Sequence, residues 1–305
     1  MVGLDDLSRG HADALPLQVP LIQGDVRDPE AVATALHFLG RPPDVVFHLA
    51  GLILVGESVH FPELYLSVNA GGTQVVVDAS LQAGVGAVVL ASSAAVLGSE
   101  QQGAEQLDEE GQLAPESPYG HSKLQAEQTL AAAVATGRIG GAAMRFFNVA
   151  GASFGCAERH DPESHLIPLA IRAAWGELPP LKVFGTDFPT PDGTCLRDYV
   201  HIADVVAALI AAARFTLAQT RSGDAQFQVF HVGSGRGHSV LEVIDQVAAA
   251  LEVPVPHQVV GRRDGDVAAL VAEPSKMRAV LGVQPSNDLP GMVRDCAAAL
   301  RKFRP

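Results

Sequence analysis

The sequence predicts an α/β fold: a doubly wound parallel sheet of the Rossmann-like type, N-terminally truncated, with a smaller second α/β domain. Three observations carry that expectation. Short, nearly continuous apolar runs read as strands buried on both faces. Segments of helical periodicity alternate with them. After Asn148 the texture changes, with frequent Pro and Gly from Gly151 to Gly193 and a helix-rich portion from Ser239 onward.

Taken in order, a first strand ends near Leu4 and is followed by Asp5 and Asp6. A helix is expected over Pro29 to Leu39, then a strand over Asp44 to Ala50. Pro62 to Ala83 reads as one helix, Ala87 to Ser92 as a buried strand and Tyr119 to Thr136 as a helix. Two of these helices open near a proline, whose fixed φ suits a first turn. Phe227 to Val232 is another apolar run, leading into Gly233-Ser234-Gly235-Arg236-Gly237 and a helix opened by Ser239 with Glu242 as a capping box. The expected division is a dinucleotide-binding domain over residues 1–150 and a substrate-binding domain over residues 151–305, with some later segments returning to the first.

Composition narrows the function. The chain has 305 residues, 48% hydrophobic and 18% charged, too apolar for disorder. Lys+Arg 21 against Asp+Glu 34 gives a formal charge of -13, which argues against nucleic acid and anionic lipid as partners. The longest strongly apolar stretch, Val205 to Ala213, falls short of the ~20 residues that span a bilayer, so no membrane helix is expected. The N-terminus lacks the basic and apolar regions of a secretory signal, and a cytoplasmic protein is expected. Cys156, Cys195 and Cys296 lie far apart with no C-x-x-C; they read as buried thiols, and no metal site is expected.

In a doubly wound sheet, ligands sit beyond the carboxyl ends of the strands. Asp5 and Asp6 stand where such a fold offers a carboxylate to a ribose diol, though a pair of solvated loop aspartates reads as well from these residues alone. The strand and glycine-rich turn that ordinarily precede them, whose amides hold a pyrophosphate, are missing from the sequence as given. The Gly233 to Gly237 segment is no substitute. Its glycine spacing is wrong, and a tight turn into a capped helix explains it.

Tyr119-Gly120-His121-Ser122-Lys123 is the strongest local signal. A tyrosine and a lysine four residues apart share a helix face, and an ammonium there favours the phenolate, lowering a pKa that starts at ~10. Ser92 and Ser93 end the strand begun at Ala87, where a hydroxyl can meet a substrate oxygen. Ser, Tyr and Lys together suggest alcohol oxidation: the phenolate takes the hydroxyl proton while a nicotinamide takes hydride. A serine hydrolase is the competing class and fits worse, since no G-x-S-x-G elbow is present and none of 11 His is singled out.

Several separated blocks give the chain a family likeness. They include Leu4-Asp5-Asp6, Gly24-Asp25-Val26, His48-Leu49-Ala50-Gly51, Asn69-Ala70-Gly71-Gly72-Thr73, Ser92-Ser93, the Tyr119 motif, Arg145-Phe146-Phe147-Asn148, His165-Leu166-Ile167-Pro168, Phe184 through His201, and Arg262-Arg263-Asp264-Gly265-Asp266. On these the chain resembles the extended short-chain dehydrogenase/reductase superfamily and its nucleotide-sugar epimerases, over essentially its whole length.

The resemblance implies NAD as resident cofactor and 4-epimerisation between UDP-galactose and UDP-glucose. It implies catalytic roles for Ser93, Tyr119 and Lys123. Cofactor contacts would fall on Asp5, Asp6, Asp25, Val26, Leu49, Ala50, Gly51, Asn69, Tyr119, Lys123 and Phe147. Sugar-nucleotide contacts would fall on Ser93, Asn148, Leu166, Phe184, Arg197, Arg263 and Asp266. It also implies a homodimer through the helices at Pro62 to Ala83 and Tyr119 to Thr136. Departures are Ile53, Leu97 and Leu270, the last leaving room for an N-acetyl group where some members carry tyrosine. The alternatives are a catalytically impaired sugar-nucleotide-binding homologue and a 4,6-dehydratase, against which Ser93-Ala94-Ala95 lacks the expected carboxyl acid.

Overall fold

A computed structural model describes residues 1–98, 106–263 and 266–303. The chain forms two compact units, and both are interleaved along the sequence: one comprises Met1–Gly98, Gln112–Arg145 and Ala208–Phe230, the other Ser99–Gly111, Phe146–Ala207 and His231–Pro305.

The first unit holds the α/β sheet. β1 (Gly3–Asp5) pairs in parallel with β2 (Leu21–Gln23). A second sheet runs β3 (Val45–His48), β4 (Ala87–Ser93), β5 (Gly140–Phe146) and β9 (Phe227–Val232) in spatial order, with β3 and β4 parallel. Among the described residues no strand pairing joins the two sheets. They share one apolar core instead, in which Val26, Val32, Leu36, Val76, Val88, Leu90 and Leu130 are buried, with Leu4, Val46 and Ala50 packed against them. Phe47 in β3 is 40% and Leu49 just after it 54% exposed, β3 being an edge strand of its sheet among the described residues.

The helices start where local chemistry says they should. Asp28 caps α1 (Pro29–His37) by accepting from the Glu30 amide at 2.9 Å, and Val32 and Leu36 face the core. Ser117 caps α5 (Pro118–Val134) through the Gly120 amide at 3.1 Å. Gly120 itself packs so tightly that a Cβ would lie 2.3 Å from the Ala95 carbonyl, which excludes any larger residue against the turn after β4.

The segment read as one helix from Pro62 to Ala83 is three joined pieces: α3 (Pro62–Tyr65), a π turn over Leu66–Gly71 and α4 (Gly72–Ala83). The helix preceding it is α2 (Val55–His60). α4 ends at Gly84, whose φ of +76° is the left-handed stop a glycine supplies.

α7 (Ile202–Ser222) is longer than the Val205 to Ala213 run suggested: its 21 residues are long and apolar enough to cross a membrane by length and composition alone. Its contacts in the first unit are those of a core helix, with Phe215 edge-on to Phe230 at 6.3 Å and Leu217 over Gly86.

In the second unit, β8 (Leu196–His201) is the central strand. It pairs in parallel with β6 (Asn148–Ala150) and β12 (Ala269–Leu270) and antiparallel with β10 (Gly237–Ser239). β7 (Leu181–Phe184) pairs in parallel with β11 (His257–Val260). α6 (Leu166–Ala174), α8 (Val240–Leu251) and α10 (Leu289–Arg301) close a second core around Ile171, Val183, Tyr199, Val247 and Val293. The expected capping box is present: the Ser239 hydroxyl accepts from the Glu242 amide at 3.0 Å. α9 (Ser275–Leu281) completes the element order.

One cysteine differs from expectation. Cys195 and Cys296 are buried, but Cys156 is exposed, because it lies in an irregular segment before α6 that contributes little to the core.

Candidate functional site

In the first unit, strand ends and one helix face gather polar groups at a single place. β4 ends in Ser92 and Ser93, and α5 brings Tyr119 and Lys123 to it on one face, as the spacing predicts. Tyr119 hydrogen-bonds Ser93, whose oxygen also accepts from the Ala95 amide at 3.2 Å. The Lys123 ammonium lies 6.0 Å from the Tyr119 ring centroid and donates to the Ala91 carbonyl at 3.0 Å.

The electrostatics differ from the sequence reading. Burial pushes the Tyr119 phenol up, and the opposing influence is the Ser93 hydrogen bond rather than Lys123. Burial lowers Lys123 to about 8, opposed by the Glu127 carboxylate. Desolvation thus outweighs the through-space attraction, because neither group sits in water that would stabilise its charge. His48, wholly buried at the end of β3 with Nε2 2.9 Å from the Thr73 hydroxyl, is lowered to about 3 by burial and by Lys123, and is neutral at physiological pH.

Three groups the sequence did not single out, Glu127, Arg145 and Tyr65, support this site, together with Ser92. Glu127, one turn beyond Lys123, is held bidentately by Arg145 at 2.8 and 3.0 Å and accepts from the Ser92 hydroxyl. All three side chains are buried, and breaking such a pair costs about 3–5 kcal/mol. The Glu127 spacing i,i+4 from Lys123 was a legible signal; its partnership with Arg145 was not. Tyr65 packs edge-on to Tyr119 at 6.3 Å and donates to Glu57 at 2.8 Å.

The cofactor positions expected in this unit fall at the strand ends. Asp5 closes β1 and accepts from the Leu7 amide at 2.7 Å; the exposed Asp6 accepts from the Ser8 amide and hydroxyl. Asp25 follows β2 and pairs with Arg27, which holds its carboxyl below the usual range, while Val26 is buried in the core. Leu49 and Ala50 follow β3. Gly51 comes next, and a Cβ there would lie 2.8 Å from the Asn69 side-chain oxygen and 3.2 Å from the Lys123 nitrogen. Asn69, 2% exposed, points inward from the π turn and bonds both the Leu52 amide and carbonyl.

These features suit a dinucleotide. Gly51, Asn69 and Lys123 make a cradle that only a residue without a side chain keeps open, with a cation and amide groups for a ribose. Asp5 and Asp6 place two carboxylates at the end of β1. Phe147, the remaining expected contact, lies in the second unit, buried and edge-on to His231 at 5.5 Å.

The second unit brings most of the expected sugar-nucleotide residues together. The Arg263 guanidinium stacks 4.3 Å from the Phe184 ring centroid at the end of β7. Asp266 lies 3.6 Å from Arg197 and 3.8 Å from Arg263. Arg197 also donates to the Leu196 and Val267 carbonyls, which aims its fork. Asp264 and Gly265 of the same sequence block lie outside the described residues. Asn148 hydrogen-bonds Tyr199, whose phenol burial pushes up to about 12, and Leu166 opens α6 against the core.

Gly233 to Gly237 is occupied internally. The amides of Ser234 and Gly235 donate to buried Asp198 at 2.8 and 2.9 Å, so the loop grips a carboxylate of its own chain.

Comparison with known proteins agrees with this geometry. Residues 1–226 match the family model described as NAD dependent epimerase/dehydratase family. A UDP-glucose 4-epimerase of Streptomyces lividans is 38% identical over 288 residues, covering 94% of this chain and 84% of that protein. One from Azospirillum brasilense is 39% identical over 296 residues, covering 96% and 82%. Among solved structures, a UDP-glucose-4-epimerase from Stenotrophomonas maltophila with bound NAD and formylated UDP-arabinopyranose superposes with a TM-score of 0.91 at 34% identity, covering 99% of this chain and 90% of that one. The Bifidobacterium longum enzyme in complex with NAD+ and UDP gives 0.88 at 31%, with coverage of 99% and 90%. A Tyr–Lys helix beside a strand-end serine, on a fold shared with these proteins and across a matched span of residues 1–226, makes this chain a member of the NAD-dependent epimerase/dehydratase family.

Proposed function

We propose that the chain is a UDP-glucose 4-epimerase, interconverting UDP-galactose and UDP-glucose with resident NAD. The observation that carries this reading is the Ser93–Tyr119–Lys123 constellation, its tyrosine and lysine buried, in a chain whose relatives at 38–39% identity are named for that reaction.

When bound, NAD supplies a reversible hydride acceptor for C4 of the hexose. Tyr119 takes the O4 proton and returns it when the sugar presents its other face. Ser93 holds O4 by a hydrogen bond. Lys123, fixed by the Ala91 carbonyl and supported by Glu127, sets the charge beside the phenol and reaches the adjoining ribose. Asp5 and Asp6 would accept from the adenosine ribose, Asp25 and Val26 would border the adenine, and Leu49, Ala50, Gly51, Asn69 and Phe147 would hold the rest of the cofactor.

For the sugar nucleotide, Arg197 and Arg263 fork onto the diphosphate, Phe184 offers its ring to uracil, Asp266 accepts from the uridine ribose, and Asn148 and Leu166 complete the contacts. The Ala94 and Ala95 side chains after Ser93 offer no carboxylic acid, which favours epimerisation over dehydration. The protein is read as cytoplasmic and homodimeric through the helices at Pro62–Ala83 and Tyr119–Thr136, with no nucleic-acid or membrane partner.

The test pairs two measurements on purified protein: retained dinucleotide by ultraviolet absorbance and mass analysis, and conversion of UDP-galactose. Coenzyme-loaded protein that leaves UDP-galactose unconverted overturns the reading.

A further inference from the structure

We infer that the segment leading into α6 carries a binding site for a zinc-type divalent cation, formed by Glu158, His160 and His165, where no metal site is expected from sequence. One ligand atom from each of the three lies within 4.8 Å of the other two. A tetrahedral ion with ~2.1 Å bonds asks for donors about 3.4 Å apart, so rotation of part-exposed side chains closes the set without moving the backbone. Two imidazoles and a carboxylate are a zinc donor set, and three protein ligands leave the fourth position for water.

A second observation points the same way. Glu163 is not a ligand but an orienting group: its side chain is 5% exposed, and it accepts from the Ser164 and His165 amides and from His165 Nδ1, each at 2.8 Å. That bond settles the proton on Nδ1, itself 4.0 Å from Glu158 Oε2, and makes Nε2 the ring's ligand atom, the carboxylate–histidine pairing that fixes the tautomer around bound metals. His160 is aligned with its neighbour, the two ring centroids 5.5 Å apart, and its amide and Nδ1 both engage Glu158. A metal entering here exchanges the His160–Glu158 contact for two coordinate bonds. It would tie the irregular stretch after β6 to the first turn of α6, where Leu166 begins the helix. The site shares no residue with the groups assigned to hydride and proton transfer, and the cation acts on segment order.

The test uses the full chain stripped of metal by chelator and titrated with zinc sulfate by calorimetry. One equivalent should bind, and a His160→Ala/His165→Ala variant should bind at least about tenfold more weakly. Cys156→Ser should bind like the parent. Cobalt(II) substitution should give d–d bands without a thiolate charge-transfer band. Zinc should also slow tryptic cleavage after Arg159 in the parent, a readout that needs no variant. Equal affinity in parent and double variant, loss of binding in Cys156→Ser, a thiolate band, or unchanged cleavage at Arg159 each overturns the proposal.

Discussion

The Asn69 side-chain amide donates to the Ser122 hydroxyl at 2.9 Å, and that hydroxyl donates on to the Tyr119 carbonyl at 2.7 Å. A π turn in one helix is thereby fastened to the helix that presents Tyr119 and Lys123. The extra residue of a π turn re-aims a side chain that regular α geometry would direct elsewhere. Here it turns an asparagine into the interior, where its oxygen and nitrogen find the Leu52 backbone as well.

Asn69→Ala leaves the Leu52 amide and carbonyl without their buried partners. The expected loss is about 2 kcal/mol, or about 3 °C in Tm for a chain of this size. Calorimetry measures it, and the same preparation should retain less dinucleotide. Unchanged Tm with unchanged dinucleotide content would remove Asn69 from the site.

Tyr119→Phe keeps the ring against Tyr65 and deletes the proton carrier. Turnover of UDP-galactose should fall by about 10²–10⁴ while affinity for UDP stays within a few-fold. Turnover near the parent's would defeat the assignment of the base.

Lys123 gives a signed pH effect. Its folded value, about 8, lies below the ordinary lysine value of 10.5. Between those pH values the unfolded chain binds more protons, so this group's penalty on stability is full below pH 8 and is relieved as pH rises toward 10.5. Lys123→Met removes the penalty. Its stability relative to the parent should therefore decline steadily between pH 8 and 10.5, measured as the difference in urea midpoints. A difference flat across that window contradicts the burial-driven shift.

Arg263 stacks on Phe184 yet leaves most of its side chain open to solvent, ready for an anion. Arg263→Ala should raise KM for UDP-galactose about tenfold to a hundredfold, the worth of one to two charge-assisted hydrogen bonds, with kcat little changed. A fall in kcat at constant KM would place its role elsewhere.

Leu270 pairs in register with Arg197 across β12 and β8. If the leucine leaves room beside the sugar, the parent should accept UDP-N-acetylglucosamine, and Leu270→Tyr should depress that activity at least about tenfold relative to UDP-glucose. Equal ratios in parent and variant would refute the idea.

What the sequence determined by itself were the relations carried by local spacing. Tyr119 and Lys123 share a face because the helix repeat requires it. Asp28, Ser117 and Ser239 start helices because a side-chain oxygen satisfies a free amide a turn away. The apolar runs declared the parallel sheet, and strand ends then indicated where to look for Asp5, Ala50 and Ser93.

Only the tertiary structure decided what depends on residues far apart in the chain. Glu127 meets Arg145 and Ser92 across two strands. Asn69 reaches Ser122. Asp198 fills the Gly233 to Gly237 loop, and the direction of the Tyr119 shift follows from burial. Helical periodicity cannot register a one-residue π insertion, and no spacing rule sums the desolvation that surrounding elements impose on one phenol. Both are properties of packed neighbours, which the chain brings together only by folding.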